Sequence, residues 1–467
     1  MRRSFRSFAS VMLLAVAACL GMSGTTPVAA EPASREAFAF AVELVKGTDA
    51  DMRAVALERL RDGLAGGAFT VELAEQVLPA VPPAVQRQVL SMLAGRRDVA
   101  ALPGIVPLAG SSDAAVAAAA IRAIASLGGG QEVPLLVGRL TAEGPVRDAA
   151  RAGLIAIQGP EVTPHLVAAA ADTAVPVGSR AAILEVLAER RDKAALPTLL
   201  AAAVATDATL RAAAMRSLVK LAGPDQVPGM VAGFLAATPG SEQNDAERAV
   251  VIVCREEPTA QAAAAALLTV YRDADAATQE KLLALLARVG GNEVLALTDA
   301  LLADPDAAQR KRGLAALSRW PDAAVKDRLL GLLAKTTDEG ERNMLIGTLI
   351  RIAPIPENGL SDKEKLTLLE RTMTLCTTDD DRRRVLERAS AIRTVETLRF
   401  VRPYLDDEPL AESAAKGVVE LAHHQKLRDG HKPEFTAALE RVLAVAKDPV
   451  TRERASRYQE GKTWERR

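Results

Sequence analysis

Three of the four histidines in this 467-residue chain, His423, His424 and His431, fall in one short stretch, and imidazole is the commonest side-chain metal ligand. A metal set would need His424 beside His431. Adjacent histidines on a helix diverge by about 100°, Asp429-Gly430 breaks a helix before His431, and no cysteine or acid stands at ligand spacing. The run Asp379-Asp380-Asp381 followed by Arg382-Arg383-Arg384 could hold a cation, but three acids entering a helix are accounted for by capping and the helix dipole. No glycine-rich phosphate loop, His-Glu-x-x-His pair or nucleophile elbow occurs. With no acid or base gathered around a recognisable nucleophile, the sequence names no catalytic, cofactor-binding or metal-ligating residue, and no cofactor is expected.

The elements that carry these residues form a repeat. Pro103, Pro134, Pro164, Pro197, Pro228 and Pro258 stand 31, 30, 33, 31 and 30 residues apart. Leu102, Val133, Leu196 and Val227 each put an aliphatic before the ring. Proline suits the first turn of a helix and disfavours a helical residue before it, so each proline is expected to open a helix. The segment Leu90 to Pro103 matches Leu184 to Pro197 at ten of fourteen positions, an offset of 94 residues or three periods. A fixed period in this range marks stacked supersecondary units.

Each unit reads as two helices. Val116, Ala120, Ile121, Ile124 and Leu127 make an apolar stripe, Gly128-Gly129-Gly130 ends it, and Val133-Pro134 starts the second helix. Val146, Ala150, Leu154 and Ile157, the break at Gly159-Pro160, and Pro164, Leu166 and Val167 repeat the plan. The expected fold is all-α: an α-solenoid superhelix of about ten or eleven stacked antiparallel helix pairs, right-handed and essentially without strand. Aromatics at 3% and abundant alanine favour thin, closely packed helices. The expected divisions are a signal peptide at 1–30, a helical cap at 31–83, regular alanine-rich repeats at 84–303, and longer, more charged repeats with a C-terminal cap at 304–467. Ala353 to Leu360, with two prolines, reads as a loop before a capping box of Ser361 and Glu364.

An Asp at a helix start recurs with Arg four residues later in Asp207/Arg211, Asp306/Arg310, Asp338/Arg342, Asp379/Arg383 and Asp448/Arg452. The aspartates suit free first-turn amides, and each Arg could pair with its own Asp or that of the next unit. A basic stripe for an anionic ligand is the functional reading. A capping and stacking ladder is favoured, because each Arg comes with its own carboxylate.

The pattern Val146-Arg147-Asp148-Ala149-Ala150 and Leu210-Arg211-Ala212-Ala213-Ala214, with the following Leu, the Gly break and the aliphatic-Pro second helix, resembles the HEAT-repeat family. It is most similar to the short, roughly 30-residue bacterial subtype named after phycobiliprotein lyases. The resemblance covers about 84 to 455 and implies a protein-binding scaffold, with only a few enzyme branches.

Residues 1–30 read as an export signal, from the basic start Arg2, Arg3 and Arg6 through the apolar Val11 to Leu20 to a small-residue site at Val28-Ala29-Ala30. Arg2-Arg3-Ser4-Phe5 faintly resembles a twin-arginine signal, and Val16-Ala17-Ala18-Cys19 resembles a lipoprotein box that would anchor a lipid at Cys19. A periplasmic or extracellular location follows, with no membrane span. Cleavage would remove three Arg and no acid, moving the net charge from −1 to about −4. Without basic blocks carrying aromatics, nucleic acid is not an expected partner. Cys254 and Cys376, far apart in a solenoid, are expected to be buried free thiols.

The reading that results is an exported scaffold for protein–protein interaction, monomeric and without catalysis of its own. An accessory module for envelope or extracellular carbohydrate processing stays open, although Trp320, Trp464 and three Tyr are scattered. So does an enzyme of the lyase or glycosylase HEAT-like branches, which work inside cells. In repeats of this kind the proline-led second helices line the inner face, and off their apolar stripes Arg139, His165 and Thr198 are the polar groups a protein partner would meet.

Overall fold

The computed structural model describes residues 32–62 and 67–464. The expected signal segment and Cys19 lie outside the described residues. Among those described there is no strand, and the chain is an all-α solenoid of helix pairs. It packs as two compact units, one ending at Val162 and one beginning at Thr163.

In the first unit, the first helices Pro83–Arg96, Ala114–Leu127 and Pro145–Ala156 stack side by side. Alanine lets them approach closely: a Cβ on Gly153 would lie 3.1 Å from the Cβ of Ala125. The expected stripe is buried, with Val116, Ala120, Ile121 and Ile124 fully enclosed, and full burial of an Ile or Val contributes about 1.5–3 kcal/mol. Leu127 is the last residue before the glycine break. Asp113 caps this helix by accepting from the amides of Ala115 and Val116.

The second unit repeats the scheme. First helices Val177–Glu189, Ala208–Leu221, Ser241–Cys254, Ala276–Val289, Ala307–Leu317, Glu339–Ile352, Asp379–Ala389 and Ala411–His423 alternate with second helices such as Leu196–Ala203, Val227–Ala236, Ala260–Asp273 and Asn292–Ala303. Leu154 in the first unit and Leu218 in the second are both fully buried. Ala353 to Leu360 is non-helical, closed by Asn358, whose side-chain amide donates to the carbonyls of Ile352 and Ala353. Ser361 and Glu364 form the expected capping box.

The prolines open helices with two refinements. Pro103, Pro134, Pro197 and Pro228 occupy the second helical position, and the aliphatic before each is itself helical: Leu102 has φ −55° and ψ −46°, and Val227 has φ −53° and ψ −43°. A 3-10 turn precedes each one and fixes that conformation. Asp98 and Asp192 cap two of these turns, and Glu132 and Gln226 reach back to the amides of Gly129 and Gly223 in the others. Local capping and burial of Val133 and Val227 thus outweigh the steric bias of the proline. Pro258 stands outside its helix, because Thr259 is the cap of Ala260–Asp273 and accepts from the amide of Ala262.

Candidate functional site

Arg139, His165 and Thr198 are all partly exposed, while Leu136, Leu166 and Leu199 beside them are fully buried. Arg139 belongs to the first unit. It stands in the 3-10 turn Arg139–Thr141 that follows the proline-led helix Val133–Gly138, and its guanidinium lies against Gly110. His165 and Thr198 belong to the second unit, each directly after the proline of its helix.

The Asp/Arg ladder is built differently from either pairing expected of it. Asp207, Asp306, Asp338 and Asp448 do cap their helices through first-turn amides. Asp379 does not; Thr378 takes the cap, and Asp379 pairs with Arg382 at 3.2 Å. The arginines turn to main-chain carbonyls. Arg310 donates to Asp304 and Pro305, Arg452 to Leu443 and Ala446, Arg342 to Leu375, and Arg383 to Pro409. The carboxylates are already engaged by amides, whereas the carbonyl ends of helices and loops are short of donors and carry negative dipole charge.

Arg211 adds an ion pair to this pattern. Its guanidinium donates to the carbonyls of Ala205 and Thr206 and grips both carboxylate oxygens of Glu242 at 2.7 and 3.0 Å. This contact holds the carboxyl of Glu242 below its ordinary value of 4.5. Arg211 and Glu242 close one end of a groove of about 770 Å³ between Ala208–Leu221 and Ser241–Cys254, lined by Ala212, Met215, Val219, Ala249 and the exposed Ile252. No sequence motif marks this groove.

A group the sequence reading missed lies at the carboxyl ends of four successive first helices in the second unit. Arg255, Arg288, Arg319 and Arg351 close Ser241–Cys254, Ala276–Val289, Ala307–Leu317 and Glu339–Ile352. Arg288 and Arg319 meet the same oxygen of buried Glu247, at 2.9 and 3.1 Å. Arg255 donates to the carbonyl of Arg288 at 2.7 Å. Arg351 donates to those of Ser318 and Trp320, on either side of Arg319. The recurrence of Arg at 255, 288, 319 and 351, about one repeat apart, was the available signal.

The remaining candidates are structural. Arg382, Arg383 and Arg384 pair with Asp379, Asp380 and Asp381 one turn back. His423 hydrogen-bonds through Nδ1 to the Tyr458 hydroxyl at 2.8 Å, and among the described residues no three His, Cys, Asp or Glu side chains gather as a metal set. Cys254 and Cys376 are buried and in no disulfide, and burial pushes their thiols up to about 12 and about 11. Trp320 is buried, so it offers no stacking platform for a sugar. Among the described residues no helix is long and apolar enough to cross a membrane.

No curated protein sequence matches the chain. Among solved structures it is similar to Kap121p, at 11% identity and a TM-score of 0.48 over 91% of this chain and 53% of that one. The chain therefore spans about half the length of that protein. It is also similar to Kap121p bound to Nup53p, at 11% identity and a TM-score of 0.47 over 92% and 57% of the two chains. Human deoxyhypusine hydroxylase aligns at 16% identity and a TM-score of 0.24 over 62% and 97%. In sequence, residues 71–155 match the family described as HEAT repeats, and over that stretch the chain is similar to them.

Proposed function

We propose that this protein is an exported scaffold that binds another protein through the outward residues of its second helices. The observation that carries the reading is that each of these helices pairs a buried leucine, Leu136, Leu166 or Leu199, with a partly exposed polar group, Arg139 in the turn after its helix and His165 and Thr198 within theirs. Small residues on these helices let a helix or an extended segment lie close to the backbone. The likeness of residues 71–155 to HEAT repeats supports an interaction role, and the bacterial subtype, the export signal and an anchor at Cys19 remain part of this proposal.

Affinity purification from the envelope fraction identifies the partner. Arg139→Glu tests the first unit, and His165→Glu with Thr198→Glu tests the second. Loss of capture by either folded variant supports the reading; unchanged affinity with both removes the second helices as the binding surface.

A further inference from the structure

The arginines at 255, 288, 319 and 351 form one connected group, in which a single carboxylate, Glu247, pairs with two of them. Main-chain carbonyls take up Arg255 and Arg351, and a single oxygen of Glu247 serves both Arg288 and Arg319. Carbonyls orient a guanidinium without neutralising it. The nearby Asp322 acts favourably on Arg255. Arg288 and Arg319 keep 38% and 48% of their side-chain surface open to solvent, and Arg255 is exposed. Burial against the helix ends lowers the proton affinity of Arg255 and Arg351, and so does the charge of Arg288; Arg388, closing the next first helix, adds to the effect on Arg351.

We infer that this row is a docking strip for an acidic protein segment in extended conformation. Arg288 and Arg319 converge on one oxygen of Glu247, so their guanidinium groups stand close enough to take one further carboxylate between them, and a guanidinium receives a carboxylate bidentately. Buried Glu247 acts as an internal placeholder, holding Arg288 and Arg319 in place while competing for their charge. A nucleic acid is the less fitting polyanion, since Trp320 within the row is buried and cannot stack on a base. This inference deepens the protein-binding reading by assigning a class of partner to a surface other than the second helices.

The test is fluorescence anisotropy on the full chain with a labelled peptide of five Glu-Gly-Ser repeats, in about 50 mM salt where surface charges are weakly screened. Saturable binding that weakens in about 300 mM salt is expected. Arg255→Gln with Arg351→Gln, which leaves the Glu247 pairs intact, is expected to weaken binding about tenfold. Glu247→Gln should instead tighten it severalfold, because two guanidinium groups lose their internal competitor. Thermal melts by circular dichroism establish that each variant is folded. The inference is overturned if the wild-type chain does not bind the peptide, if folded Glu247→Gln binds no better, or if a 15-nucleotide single strand binds more tightly and is lost with the same arginines. Any of these leaves the second-helix reading intact, since Arg139, His165 and Thr198 take no part in the measurement.

Discussion

Two consecutive first helices of the first unit end on apolar residues, Leu127 and Ile157, both buried, and glycines make the turns that follow. Four consecutive first helices of the second unit also end on buried apolar residues, Cys254, Val289, Leu317 and Ile352, but an arginine within two residues of each end takes up carbonyls of neighbouring helix ends or shares Glu247. Both devices solve one problem, the carbonyls left without donors at a helix end. Glycine solves it locally and leaves no charge behind. Arginine solves it between repeats, as where Arg96 in the first unit donates to the carbonyl of Leu60; in the second unit four arginines stand at successive helix ends, which gathers positive charge there. The buried rows are alike in the two regions, so the fold constrains the inside while the helix ends are free to acquire chemistry.

If that separation is right, core truncation should be equally costly in both regions. Leu154→Ala in the first unit and Leu218→Ala in the second, each fully buried, are expected to cost about 2–5 kcal/mol. Lys281→Ala on an exposed surface should stay within about 0.5 kcal/mol. Urea midpoints measure all three, and a large cost at Lys281 would refute the assignment of inside and outside.

Next in size is the ion pair found in the second unit. Arg211→Leu leaves the half-enclosed Glu242 without its partner and is expected to cost about 3 kcal/mol at neutral pH. The folded carboxyl of Glu242 titrates below its ordinary value of 4.5. Its contribution is therefore complete above about pH 4.5 and is lost as pH falls through the lower folded value. The gap between wild type and variant, followed by denaturant unfolding, should narrow from pH 7 to pH 3; a constant gap would assign the effect to packing.

A smaller effect tests the close approach of second helices. Gly104 follows Pro103, and a Cβ there would lie 2.5 Å from the backbone carbonyl of Ala74. Gly104→Ala should cost about 1–3 kcal/mol. Gly138→Ala, where nothing lies within 4 Å, should be close to neutral or slightly stabilising, since alanine is the better helix former. Thermal melts separate the two.

The period, the glycine breaks and the alternation of buried and open positions were legible because each is written in one repeat and repeated in the next. Pro103, Pro134, Pro197 and Pro228 marked their helices for the same reason. The arginine contacts were not legible, because a carbonyl acceptor belongs to every residue and leaves no trace in side-chain identity. Arg351 reaching Ser318 and Trp320 is visible only once the helices are stacked. Glu247 was hidden by distance: its partner Arg319 lies 72 residues away. Arg139, His165 and Thr198 were found as outward positions by their place off the apolar stripe, which is a statement about burial.

The finest comparison is between the two copies of the fourteen-residue match, one in each unit. Arg97 and Arg191 turn left-handed at φ 54° and 55°. Asp98 and Asp192 then cap 3-10 turns by accepting from Ala100 and Ala194. The surroundings repeat as well: the Thr70 hydroxyl and the Ala100 amide hold the carboxyl of Asp98 below its ordinary value, and the Ala194 amide and the Thr163 hydroxyl do the same for Asp192. The same cap in a similar backbone geometry should give similar energetics, so Asp98→Ala and Asp192→Ala are each expected to cost about 1 kcal/mol. Both carboxyls are depressed below 3.8, so each contribution is present at neutral pH and lost only as pH falls through the folded value. Denaturant unfolding of the two variants at pH 7 and pH 3 measures this. Equal costs that shrink together at pH 3 would mean that the turn carries its own stability wherever it stands in the array. Costs differing by more than about 1 kcal/mol would mean that neighbouring helices, rather than the motif, decide how much a cap contributes.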